Sequence, residues 1–298
     1  MQYNSELAYI IGLYDAEGAE NSFRFTNSDP EIIKIFLENI ELIFGLREQD
    51  FDAQITMVST NKESNKAKNF WLKKFPNLNI FKTVSYKYGE GIEFGSLSVI
   101  INTLTMSTIW RSLRVKMRKL IVLDEVLSSS YISGILDGDG NVYIDKDTKS
   151  VISVRITSDS RKDCSLITDS LKNLGITFKI DDAKNSNKRD IVIFKWDNFI
   201  KLFNYNGYFR YNIERKTKFL DGLLNHRRSK VMLRTLKSIA NKNYSQVSIS
   251  DAMKIKRKHM RRVYNYLEQL KTLNMVNYYS NNNAYLTEKG KNFLRILK

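Results

Sequence analysis

An α+β fold of two pseudo-symmetric repeats and a third, basic unit is predicted by three features of the 298-residue sequence. A nine-residue pattern occurs twice, IIGLYDAEG at 10–18 and ISGILDGDG at 132–140, each an apolar helical stretch ending in two carboxylates and a glycine. After each copy the apolar period passes from helical to alternating and back in the same order, which gives an αββαββα outline for both halves. Past residue 226 the composition shifts to a basic run, Arg227-Arg228-Ser229-Lys230, and then to short helices and one hairpin. The expected units are 1–122, 123–226, a basic linker at 227–230, and 231–298.

The first helix has Ser5 as its expected N-cap, with Leu7, Ile10, Ile11, Leu13 and Tyr14 at helical spacing and Gly18 as its end. Residues 22–26 alternate, giving a strand with buried aromatics on one face and Arg24 and Thr26 on the other. Asp29-Pro30 opens a second helix that runs to Gly45. Strands are expected at 53–58, 82–88 and 91–94, with Gln54, Thr56, Ser85 and Lys87 on the polar side, and a Lys-rich helix or loop at 62–74. Residues 97–104 and 113–127 read as helices, the second strongly basic at Arg114, Lys116, Arg118 and Lys119.

The second pattern restarts the order. Residues 141–145 and 153–157 alternate and form a hairpin, a helix at 160–174 ends at Gly175, strands follow at 177–180 and 191–195, and helices run on to Leu224. In the last unit a helix is expected at 231–240, a short one from Ser248, and a densely basic third at 256–273. A hairpin at 276–279 and 284–286 and a helix at 288–297 close the chain.

Gly12 and Gly134 interrupt otherwise apolar helices, and a mid-helix glycine costs about 1 kcal/mol against alanine. Close approach of the two backbones would offset that cost and bring Glu17 and Asp139 together. The formal net charge of +16, spread along the chain, points to a polyanionic partner. No apolar run is long enough to span a bilayer and no secretory signal layout is present, so the expectation is a cytoplasmic, nucleoid-associated or organellar protein with no membrane partner. A single cysteine, Cys164, and two histidines, His226 and His259, leave no material for a disulfide, a zinc ribbon or a histidine-based nuclease centre. The ends typical of an intein are missing, so a free-standing protein is expected.

Both nonapeptides resemble the signature of the LAGLIDADG homing endonucleases, whose monomeric, pseudo-symmetric members carry two copies in one chain. The first copy, with Phe23-Arg24-Phe25-Thr26-Asn27 after it, looks most like the archaeal intron-encoded type. In layout the resemblance covers about the first three quarters of the chain, and the remainder resembles a winged helix-turn-helix. It implies two sheets forming one DNA-binding saddle, with the motif helices as its pivot. The implied activity is Mg²⁺- (or Mn²⁺-) dependent, site-specific cleavage of double-stranded DNA at a long asymmetric or pseudo-palindromic target. Each acid serves one strand, and short 3′ overhangs are left.

Glu17 and Asp139 are the candidate catalytic acids and metal ligands, joined by the backbone carbonyls of Ala16 and Gly138 at helix ends whose partial negative charge favours a cation. The blander reading, polar residues that merely end a buried helix, weakens when the pattern occurs twice. Asp15 and Asp137 point elsewhere on the helix and are assigned to the fold. The resemblance also implies a basic residue after the last helix of each repeat that stabilises charge on the phosphate; Lys116 holds that place in the first half, and Arg215 or Lys216 in the second, with Arg215 the candidate taken, against ordinary solvated helix charges. DNA contacts are expected from Arg24, Thr26, Gln54, Thr56 and Lys87 in the first half, and from Asn141, Tyr143, Arg155, Thr157 and Lys195 in the second. Lys256, Arg257, Lys258, Arg261 and Arg262 of the third C-terminal helix join them. Two alternatives stay open: a non-cleaving transcription regulator like the WhiA-type bacterial proteins, which join such a domain to a helix-turn-helix, and a maturase whose partner is intron RNA.

Overall fold

A computed structural model of the chain describes residues 3–58, 61–86, 92–159, 164–182, 188–241, 249, 260–278 and 283–296. The chain divides into two compact units. One comprises Met1–Asn141, Arg155–Val192 and Tyr205–Lys216, the other Val142–Val154, Ile193–Asn204 and Thr217–Lys298.

In the first unit α1 (Ser5–Glu17) is capped by Asn4, one residue before the expected Ser5, because the Asn4 side chain accepts the Leu7 N–H at 3.0 Å. β1 (Phe23–Asn27) leads to α2 (Pro30–Phe44), which Asp29 caps and Gly45 closes at φ 72°, a left-handed turn that glycine adopts without strain. β2 (Asp52–Val58), α3 (Asn61–Lys74), β3 (Asn79–Tyr86), β4 (Ser96–Ile101), α4 (Leu104–Ile121) and α5 (Glu125–Asp139) follow. The sheet order is β1-β4-β2-β3, antiparallel except for β2 and β3, which run parallel because α3 carries the chain back across. Phe23, Phe25, Ala53, Ile55, Leu97 and Val99 fill one face, buried under α1 and α2.

Three expectations fail here. Residues 97–101 form β4 and not a helix: Leu97-Ser98-Val99-Ile100-Ile101 is too short to show a period, its β-branched residues suit a strand, and it is flanked by β1 and β2. Residues 92–94, read as strand, lie in a turn closed by Gly95 at φ 66°. The helix expected over 113–127 is two helices, since Asp124 accepts the Leu127 N–H at 2.8 Å and starts α5 afresh. The first half therefore runs αβαβαββα. Its opening hairpin is reduced to a single bridge between Gly18 and Phe25, and α3 supplies β3 at the opposite edge.

The second half keeps the expected order, with β5 (Gly140–Ile144), β6 (Val151–Asp159), α6 (Ser165–Asn173), β7 (Phe178–Asp182) and β8 (Lys188–Phe194) in a sheet ordered β5-β6-β8-β7. α6 begins at Ser165; residues 160–163, where its start was expected, lie outside the described residues. α7 (Trp196–Asn204) and α8 (Ile213–Asn225) complete it.

Within the second unit the basic run 227–230 is no linker but the first turn of α9 (Arg227–Ala240). His226 caps it through Nδ1, which accepts the Arg228 N–H at 3.2 Å, and Trp196 Nε1 donates to the buried Ser229 hydroxyl at 2.7 Å. α10 (Met260–Thr272), an antiparallel hairpin of β9 (Val276–Tyr278) and β10 (Ala284–Leu286), and α11 (Glu288–Ile296) follow. The short helix expected from Ser248 and the start of the third at 256–259 lie outside the described residues, apart from a helical, buried Ile249. Among the described residues no helix is long and apolar enough to cross a membrane.

Candidate active site at the ends of the twin helices

α1 and α5 pack backbone to backbone. A Cβ on Gly12 would lie 2.1 Å from the Tyr131 carbonyl oxygen, and one on Gly134 would lie 2.1 Å from that of Tyr9. Only glycine fits either place. The same tyrosines bind across the pair in the opposite sense: Tyr9 donates its hydroxyl to Asp137 Oδ2 at 2.9 Å, and Tyr131 donates to Asp15 Oδ2 at 3.2 Å.

Asp15 and Asp137 are thereby consumed by the fold, in unlike ways. Asp15 is ion-paired by Arg114 and by Arg118, the latter at 3.4 Å, which tie α4 to the helix pair. Asp137 accepts backbone N–H groups from Arg210 at 3.0 Å, Tyr211 at 2.9 Å and Asn212 at 3.1 Å, and so fixes the turn that leads into α8. Burial pushes the Asp137 carboxyl above the ordinary aspartate range, partly offset by those donors. Burial and the facing carboxylate raise Tyr9 and Tyr131 too, so both stay hydroxyl donors.

Glu17 and Asp139 are the last residues of α1 and α5 and both are half-buried. Glu17 Oε1 accepts from Asn27 Nδ2 at 3.1 Å. A Cβ on Gly138 would meet Ala16 Cβ at 2.6 Å and Glu17 Cγ at 3.0 Å, so the end of α1, Glu17 included, sits directly against the residue before Asp139. At the end of α5 the Arg215 guanidinium donates to the carbonyls of Gly138 at 2.7 Å, Asp137 at 3.0 Å and Leu136 at 3.4 Å, a fixed cation on the negative end of the helix dipole. Lys116 lies on the exposed side of α4, while Arg114 and Arg118 turn inward onto Asp15.

The donor set fits a hard cation. Among the described residues no three His, Cys, Asp or Glu side chains gather as a metal cluster. Two carboxylates with carbonyl, water and phosphate oxygens are the way Mg²⁺ is commonly held. Gly138 O, already bound by Arg215, keeps one lone pair for such a role.

The sheets carry the remaining candidates. Arg24, Thr26, Gln54 and Thr56 share the polar face of the first sheet, where Thr26 Oγ1 and Ser98 Oγ lie 2.7 Å apart. Ser85, expected there, pairs with Met57 on the other face, and Lys87 lies outside the described residues. In the second sheet Arg155 and Thr157 meet at Asp190, at 3.5 and 2.7 Å, and Asn141 and Tyr143 are exposed on either side of buried Val142. Lys195, the residue after β8, lies in the left-handed region at φ 72° and is exposed. Arg261 is exposed at the start of α10; Lys256, Arg257, Lys258 and the Arg262 side chain lie outside what is described. Sequence reasoning missed Asn27, Asp190 and the tyrosine pair, although the tyrosines were signalled by standing three positions before each motif glycine.

Residues 127–210 match the family model of a LAGLIDADG-like domain. The matched stretch, 84 of the 298 residues, spans α5 and the sheet that follows it. Similar solved structures include I-DmoI in complex with DNA and Mn, at 12% identity over 64% of this chain and 90% of that one, with a TM-score of 0.38. Full-length DUF199/WhiA from Thermatoga maritima is 13% identical over 99% of this chain and 92% of its own, at 0.41. The meganuclease I-SmaMI bound to uncleaveable DNA is 12% identical over 79% and 98%, at 0.38. No curated protein matches the sequence.

Proposed function

We propose that this protein is a monomeric, site-specific DNA endonuclease that hydrolyses both strands of a long asymmetric target, with Glu17 and Asp139 as its catalytic acids. One observation carries the reading: two helices pressed together through Gly12 and Gly134 end in carboxylates, with Glu17 against Gly138. Repulsion between like charges so placed is relieved by a divalent cation, and Mg²⁺ or Mn²⁺, when bound by Glu17, Asp139 and the Ala16 and Gly138 carbonyls, would supply a nucleophilic water and neutralise the leaving oxygen. Asn27 holds the Glu17 carboxylate, and Arg215 places positive charge near the scissile phosphate. The polar sheet faces and the basic α9–α11 module, a winged helix-turn-helix in this reading, hold the duplex. A charge of +16 gives DNA binding a steep salt dependence.

A second reading, a non-cleaving DNA-binding regulator, is favoured by the Arg215 guanidinium spanning three carbonyls at the end of α5, a cation already in place there. One experiment separates the two. Ends are captured from fragmented genomic DNA incubated with the protein and Mg²⁺, with EDTA and Asp139→Asn as controls. Discrete double-strand cuts with short 3′ overhangs, absent with EDTA and reduced to nicks or lost in the variant, support the nuclease. Sequence-specific retention without cuts supports the regulator.

A further inference from the structure

On the polar face of the first sheet, Thr26, Ser98, Gln54 and Lys82 stand in one row across β1, β4, β2 and β3. The row exists because the β2/β3 pairing is irregular: Ala53 pairs with Ile80 but Gln54 pairs with Lys82, so Phe81 is passed over. One skipped residue reverses the facing of everything beyond it. Lys82, Val84 and Tyr86 thereby join Gln54, Thr56 and Val58, while Thr83 and Ser85 fall to the opposite face.

Among the described residues β3 also has no counterpart in the second sheet. The Arg-x-Thr segments of β1 (Arg24, Thr26) and β6 (Arg155, Thr157) align the two sheets, β1-β4-β2 then matches β6-β8-β7, and β3 is left over at the edge. That extra strand presents a cation, Lys82, and a tyrosine, Tyr86, whose surface is 55% exposed. They are four residues apart on one strand, a reach of roughly 13 Å at about 3.3 Å per residue, comparable to about four base steps of a duplex.

We infer that Lys82 and Tyr86 are specificity-determining contacts to base edges at one outer end of the DNA target, so that its sequence requirement is asymmetric. This rests on the DNA-binding reading above. A lysine reaches guanine O6 and N7, and an amphipathic ring can lie against a thymine methyl. Lysine on an edge strand also keeps other strands from adding to it, but that role bears on solubility and not on base preference.

The test is selection of bound duplexes from a randomised pool by the full chain in Ca²⁺, comparing wild type, Lys82→Ala/Tyr86→Ala and Ser85→Ala. All three substituted positions are exposed, and matching thermal unfolding confirms that the variants fold. The double variant is expected to recover the wild-type motif with base preference lost over a contiguous block at one end, by about tenfold or more per position, while Ser85→Ala recovers it whole. An unchanged motif in the double variant, or a uniform loss of affinity with all preferences kept, overturns the inference and leaves DNA binding intact. Wild type that retains no duplex even at low salt overturns the function reading and this inference with it.

Discussion

Tyr131 on α5 donates its hydroxyl to Asp15 of α1 across the helix pair, 3.2 Å away, and the bond is mirrored by Tyr9 and Asp137 at 2.9 Å. The two bonds sit at equivalent positions of the repeat, yet the carboxylates they serve differ. Asp15 has two arginines beside it; Asp137 has three backbone amides. Loss of the tyrosine hydroxyl therefore has unequal consequences. Tyr9→Phe leaves a buried carboxylate one donor short with no side-chain cation among the described residues bonded to it, and is expected to cost about 2–3 kcal/mol, against about 1 kcal/mol for Tyr131→Phe. Urea unfolding of the two variants checks the order, and equal losses would refute it.

Gly12→Ala and Gly134→Ala each drive a methyl to 2.1 Å from a carbonyl oxygen of the facing backbone. Neither helix can yield without opening the pair. Both variants are expected to lose more than about 3 kcal/mol or to fail to fold, far beyond the helix-propensity gain of about 1 kcal/mol from the same change. A soluble Gly12→Ala protein with wild-type melting temperature would mean that the helices do not meet as described.

These glycines show how much was legible in advance. Gly12 and Gly134 were visible as misfits in apolar helices, and the pairing of α1 with α5 followed from them. The facing of β3 was not visible, because one passed-over residue, Phe81, turns Lys82 and Tyr86 onto the polar face and Ser85 off it, and no local composition marks a skipped residue. β4 was lost for a related reason: a central strand buried on both sides has no alternation to read. Arg215 is a candidate from its place in the sequence alone. Its grip on three carbonyls at the end of α5 depends on the turn that Asp137 holds, a contact between residues more than seventy positions apart.

The neighbouring acids Asp137 and Asp139 should separate stability from chemistry. Asp137→Asn replaces an acceptor with an amide that faces backbone N–H donors, and is expected to cost about 2–3 kcal/mol. Asp139→Asn, half-buried at the helix end, is expected to melt within about 1 kcal/mol of wild type while Mg²⁺-dependent cutting falls a hundredfold or more. Differential scanning calorimetry and single-turnover cleavage of a captured target measure the two quantities. Stable Asp137→Asn protein, or Asp139→Asn protein that cuts normally, would reverse the assignment.

His226 gives the second unit a dependence on pH. Its Nδ1 must be unprotonated to accept the Arg228 N–H that starts α9, and burial, followed by repulsion from Arg228, lowers its pKa below the ordinary histidine value. The unfolded chain therefore binds a proton at higher pH than the folded one. Stability from this group is present above the unfolded value of about 6.5 and is lost as pH falls through the folded value. Asparagine is a good N-cap with no proton to take up. His226→Asn is thus expected to match wild type at pH 8 to within about 1 kcal/mol and to gain on it steadily as the pH falls below about 6.5. Paired melts across that range measure the difference, and one that stays constant with pH would show that the cap does not titrate as α9 unfolds.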